Sequence, residues 1–156
     1  MTFSKNVYRL PFEDFGLKPE PAPFHEGKSW LEYALDFAMP LGTPLYAALD
    51  GKVVDVVDRF VEGGANKSFS DKVNMIVIVH ENDEFTHYVH LKRGILFRPG
   101  EAVEKGILIG HSGETGYMTY PHLHFSVSVL NPRSEYKTII PRFRKGKKIF
   151  TLESPR

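Results

Sequence analysis

The run Pro121-His122-Leu123-His124-Phe125 sets two imidazoles one residue apart. On a β-strand side chains alternate between faces, so His122 and His124 point into one space while Leu123 and Phe125 enter an apolar core. Two imidazoles side by side on a rigid strand suit a metal ligand next to a group that acts on substrate. His25, Asp36 and His90 are the residues elsewhere in the chain that could meet them. With His25, Asp36 and His124 as ligands of one ion, two neutral imidazoles and one carboxylate leave Zn²⁺ net positive with a fourth position for water. That is the pattern of a catalytic rather than a structural zinc site. Zinc would acidify the water to a pKa of about 7 and polarise the carbonyl under attack. Amide hydrolysis also needs an orienting base for the water and a donor for the developing oxyanion. His122, beside the ligand on the same strand face, and His90 are the candidates.

Asp36 lies in the apolar run Tyr33-Ala34-Leu35-Asp36-Phe37, where a carboxylate is expensive to bury without a partner; a functional role is expected. The helical His-Glu-x-x-His metal motif is absent, and so is the Gly-x-Ser-x-Gly elbow of serine hydrolases. The remaining histidines read as bystanders. His80, beside the turn Glu81–Glu84, is expected at the surface, and His111 in a loop without a partner. Strand parity over Phe85–Leu91 groups Tyr88 with His90 and sets His87 with Phe85 and Val89, which assigns His87 to packing. Tyr88 is either a hydrogen-bonding neighbour of the site or a packed aromatic.

Elements of a particular kind must hold these groups. The chain has 156 residues, 42% of them hydrophobic and 25% charged, with a net charge of +1; this fits one globular domain and gives no electrostatic reason to expect a nucleic-acid partner. The absence of cysteine removes disulfides and thiolate metal sites. Met1–Leu10 has no apolar core of signal-peptide length, and no run is long enough to span a membrane. Residues 1–24 are rich in Pro and aromatics (Tyr8, Phe12, Phe15, Phe24) and are expected to form an extended arm over the domain. An arm of that kind lying in a groove would hold activity down, and deleting residues 1–20 would then raise it. Residues 25–130 form the core domain. Residues 131–156 form an extension packed on it, with a basic cluster at Arg142–Lys148. Leu45–Ala48 and Val53–Val57 read as a hairpin turned at Asp50-Gly51. Residues 61–72 are a polar loop, Val73–Val79 a buried strand, and Phe85–Leu91 its returning partner. The fold class is all-β, mainly antiparallel, with little helix.

Several stretches, in order, resemble the motifs of the lysostaphin/LytM-type zinc metallopeptidases. The first is Tyr33-Ala34-Leu35-Asp36-Phe37-Ala38-Met39-Pro40-Leu41-Gly42-Thr43-Pro44-Leu45-Tyr46-Ala47-Ala48, with Gly51-Lys52-Val53-Val54. The second is Thr86-His87-Tyr88-Val89-His90-Leu91. The third and fourth are Gly100–Gly106 with Ile109-Gly110, Gly113 and Thr115-Gly116, and Pro121-His122-Leu123-His124-Phe125. The resemblance covers roughly residues 24–128 and implies a β fold with a groove over one sheet. It also implies an endopeptidase acting on peptides of bacterial peptidoglycan, outside the cytoplasmic membrane. Asp36 and His124 match the family's zinc ligands, and His90 and His122 its two catalytic histidines. The first ligand departs from the common spacing. Glu32 stands where many members have it, while Phe24-His25 matches a subset with a longer gap. Tyr120 replaces a frequent Gly and would narrow the groove, and Ser126 replaces a frequent Glu. The competing function is a metal-free relative that binds the envelope or regulates another hydrolase, a class expected to lose ligands. The Gly100–Gly110 turn also resembles carrier domains, but no acceptor-lysine motif accompanies it.

Overall fold

The computed structural model describes residues 1–14 and 16–155; Phe15, counted above among the aromatics of the arm, lies outside them. The strands are β1 (Phe3–Tyr8), β2 (Leu35–Ala38), β3 (Pro44–Tyr46), β4 (Gly51–Val57), β5 (Gly63–Gly64), β6 (Met75–Val79), β7 (Phe85–Val89), β8 (Ala102–Val103), β9 (Leu108–His111), β10 (Gly116–Tyr117), β11 (His122–Leu130), β12 (Tyr136–Lys145) and β13 (Lys148–Thr151). The described helix consists of single 3-10 turns at Pro23–His25, Lys67–Phe69 and Glu81–Asp83. Among the described residues no helix is long and apolar enough to cross a membrane.

Nine strands form one sheet in the order β1-β12-β11-β7-β6-β4-β8, with β2 added beside β11 and β13 beside β12. Its pairings are antiparallel except β1 with β12, so the expected all-β class holds. β11 is the middle of the site. Leu123, Phe125 and Val127 have no solvent exposure, and Phe125 packs against Tyr88 and Phe143 with ring centroids 5.3 and 6.1 Å away. Removing each such ring from water stabilises the fold by about 1.5–3 kcal/mol. The opposite face of the same strand is then obliged to carry His122, His124, Ser126 and Ser128 together.

The Pro- and aromatic-rich start of the chain is extended, but it does not lie over the domain. Phe3–Tyr8 enters the sheet as β1, and Tyr8 and Phe12 are fully buried. The reason is Glu84. Its buried carboxylate accepts from Lys5 N (2.6 Å), Asn6 N (3.2 Å) and the Tyr8 hydroxyl (2.9 Å), anchoring β1 to the start of β7. Among the described residues of this segment, only residues 21–24 line the groove described below. Truncation of residues 1–20 is therefore expected to unfold the protein rather than activate it. Phe12→Ala alone should cost about 3–5 kcal/mol in chemical denaturation; a loss under 1 kcal/mol would mean that this segment is not part of the core.

The expected hairpin at Asp50-Gly51 is absent: β3 pairs with β9, and β4 pairs with β6 and β8. Gly51 is instead the first residue of β4, packed so closely on Val79 that a Cβ would collide with its carbonyl. Asp50 serves other partners, accepting from Lys105 N at 2.7 Å and, through its carbonyl, from His80 at 2.8 Å. His80 is thus buried rather than exposed, because it continues the inward parity of Ile76 and Ile78. Burial also lowers its pKa. The basic cluster Arg142–Lys148 is the end of the β12–β13 hairpin, and Arg142 spends its guanidinium on the carbonyls of Ser4 and Lys5.

Candidate metal centre and its groove

Sheet register brings the carboxylate to the imidazole. β2 runs antiparallel to β11 with Asp36 directly opposite His124, and His122 opposite Ala38. His124 Nδ1 lies 2.9 Å from Asp36 Oδ1, and His122 Nε2 lies 3.6 Å from the same oxygen. His25 arrives from outside the sheet on the Pro23–His25 turn, where a proline at the helical start fixes the chain. A backbone hydrogen bond from Glu20 N to Asp36 O ties that segment to β2. His25 Nε2 then stands 3.4 Å from Asp36 Oδ2, and its ring meets that of His124 edge-on, 5.1 Å between centroids.

Asp36 is 8% exposed and His25 6%, so each is expensive to keep there unpartnered. Burial raises the Asp36 carboxyl, but the hydrogen bond and charge of His124 and the charges of His122 and His25 outweigh it, leaving the pKa at about 2. Burial lowers His25 more than Asp36 raises it. The carboxylate is therefore ionised and ready to bind a cation. One ligand atom each from His25, Asp36 and His124 lies within 4.8 Å of the other two. Two imidazoles and one carboxylate are the donor set of zinc with an open position. The buried Nδ1 of His25 makes no hydrogen bond among the described residues. The residues fit the ion. Glu32, the substitute first ligand, is exposed and outside this cluster.

His122 and His90 stand next to the cluster, ring centroids 4.7 Å apart. Each places Nδ1 on a backbone carbonyl: His122 on Tyr120 O at 2.9 Å, His90 on Thr115 O at 2.7 Å. A carbonyl only accepts, so both rings carry a proton on Nδ1. Burial first, then the neighbouring His122 and His124, push His90 down to about 3, which keeps it neutral.

His90 reaches the groove by breaking strand parity. Thr86 and Tyr88 face the core, and Tyr88, fully buried, spends its hydroxyl on Ala48 N at 3.0 Å. The next inward position would be 90, but His90 takes a left-handed φ of 71° just past β7 and turns to the other face. Tyr88 is accordingly a core residue. His87 shares the groove with His90, a placement the alternation rule missed. The signal for it was its cross-strand partner, since His87 pairs with Ser126, which shares its face with His122 and His124.

The groove measures about 690 Å³. Its floor continues from His124 through Ser126, Ser128 and His87, with His87 Nε2 2.9 Å from Ser128 Oγ. Trp30, Phe24, Tyr117 and Tyr136 line it as well. Tyr120 borders His122, ring centroids 4.7 Å apart, and burial followed by Asp36 and Glu20 raises its phenol to about 12. Burial, then His124, presses His87 down to about 4. The unfolded chain, with His near 6.5, binds more protons than the folded one between those values. This stabilisation is complete above about pH 6.5 and fades as pH falls toward 4. Melting temperatures at pH 7 and 4.5 should fall less for His87→Gln than for the wild type; equal falls would mean that His87 is not buried neutral.

Residues 31–135 match the family described as peptidase family M23. The peptidoglycan DD-endopeptidase ShyA of Vibrio cholerae is 41% identical over 107 residues, 68% of this chain and 22% of ShyA. The glycyl-glycine endopeptidase ALE-1 of Staphylococcus capitis is 35% identical over 113 residues, 71% of this chain and 27% of ALE-1. The crystal structure of a zinc-containing peptidase from Vibrio cholerae superposes with a TM-score of 0.59 at 30% identity, covering 85% of this chain and 39% of that one. The chain thus spans less than a third of the length of these two curated relatives.

Proposed function

The chain belongs to peptidase family M23, and from that premise we propose that it is a zinc-dependent endopeptidase hydrolysing peptide bonds of bacterial peptidoglycan. One observation carries the reading: His25, Asp36 and His124 bring one ligand atom each within 4.8 Å of the other two, while His90 and His122 stand beside them with Nδ1 held by a backbone carbonyl. The substrate class follows from the relatives, named for peptidoglycan DD- and glycyl-glycine endopeptidase activity. Peptidoglycan lies outside the cytoplasmic membrane, so the proposed place of action is extracytoplasmic.

His25, Asp36 and His124 would hold the ion. Bound there, zinc supplies Lewis acidity, bringing the pKa of water near 7 and polarising the scissile carbonyl. The chain's own groups do the rest. His122 is assigned proton transfer, because its Nε2 lies 3.6 Å from Asp36 and an imidazolium formed there is stabilised by the carboxylate. Once protonated it becomes a donor for the developing oxyanion and then for the leaving amine. His90, held neutral, orients the attacking water through Nε2. The groove positions the peptide over these atoms, and Tyr120 limits its width at His122. The metal-free binding reading requires a missing ligand, and all five polar groups are present at the groove.

Incubation of the purified protein with peptidoglycan sacculi, followed by mass spectrometry of the released muropeptides, tests this proposal. Cross-linked species should decline as products with new amino termini appear. An unchanged muropeptide profile with zinc-loaded protein would reject it.

A further inference from the structure

His90 holds a backbone conformation that a side chain with a Cβ disfavours, so neighbouring groups must hold it there. The residue after it is gripped at both ends of its backbone. Leu91 N donates to Asn74 O at 3.1 Å, and Leu91 O accepts from Asn74 Nδ2 at 3.2 Å and from Thr115 Oγ1 at 2.9 Å. Asn74 N in turn donates to Thr115 Oγ1 at 3.1 Å, and the Thr115 carbonyl accepts from His90 Nδ1 at 2.7 Å.

Asn74 has no solvent exposure and no spare hydrogen-bonding group. Its Oδ1 accepts from Arg59 N and Phe60 N, and Nδ2 also donates to Phe60 O. Aspartate lacks the two donors and leucine lacks everything, so the position calls for the short amide. Gly116, at φ 88°, keeps the space beside the ring: a Cβ there would lie 3.0 Å from His90 Nδ1 and 2.8 Å from Val73.

We infer that Asn74 and Thr115 are positioning residues which clasp the turn at the end of β7, set His90 on the groove face and fix its proton on Nδ1. Neither touches substrate; both act through His90. The kinetic consequence rests on the proposed endopeptidase function, whereas the tautomer does not.

Two readouts test the inference. Long-range ¹⁵N–¹H spectra of the purified wild-type protein should show His90 as the Nδ1–H tautomer; an Nε2–H tautomer overturns the clasp. Thr115→Val keeps the shape and removes the hydroxyl that joins Asn74 to Leu91. It should give a mixture of His90 tautomers and a kcat reduced up to ~100-fold with little change in KM. Thr115→Ser should recover most of both. An unchanged tautomer and kcat in Thr115→Val, or a Ser variant as impaired as the Val variant, contradicts the inference. Should Thr115→Val fail to fold, the wild-type tautomer still decides. A wild-type protein with the Nδ1–H tautomer that cleaves no peptidoglycan peptide sinks the proposed function and leaves the clasp standing.

Discussion

Asp36→Ala should eliminate zinc binding and peptide-bond cleavage together. The carboxylate is approached by the imidazoles of His124, His25 and His122, at 2.9, 3.4 and 3.6 Å, and is the only acid in the ligand cluster. Without it the cluster keeps two neutral nitrogens and no negative charge to offset the ion. The Lewis-acid contribution, worth several kcal/mol, is lost with the ion, so activity should fall by ~10³-fold or more. Turnover on a synthetic cross-bridge peptide, with metal content measured on the same sample, reads both effects. An Asp36→Ala protein that keeps either its zinc or more than a tenth of its activity would contradict the assignment.

His122→Ala should separate the two properties. His122 faces Asp36 from 3.6 Å but lies outside the ligand cluster, and its Nδ1 is spent on the Tyr120 carbonyl. The variant should keep its zinc while kcat drops by ~10²–10⁴-fold, the usual scale of a lost general acid–base group. Loss of zinc in this variant would instead place His122 among the ligands, and wild-type kcat would remove it from the chemistry.

The parts of this site that follow a simple period were legible in the sequence. His122 and His124 share a face because β11 is a regular strand with an apolar reverse side. Asp36 stood out as one carboxylate in an apolar run, and the register of β2 on β11 accounts for its partner. His25 was not legible in that way. It sits on an irregular turn to which no strand or helix period points, so residue type and resemblance to a family subset alone made it a candidate. His90 was identified, but the face of its strand was misread, since one left-handed residue inverts the parity that placed Tyr88 beside it. The same rule, applied to the end of β6, would have buried His80; the polar turn beside it masked the inward position. The edge of the sheet was missed for a different cause. Phe3–Tyr8 becomes a strand through the carboxylate of Glu84, far away in the chain, and no local pattern reports such a partner.

The zinc content of the purified protein, set beside those of His25→Ala and Glu32→Ala, decides whether His25, Asp36 and His124 hold the ion. One zinc per chain in the wild type and in Glu32→Ala, with none in His25→Ala, is the result predicted by a His25, Asp36, His124 site. A wild type that binds no zinc even after reconstitution, or a His25→Ala protein that keeps it, would contradict that site.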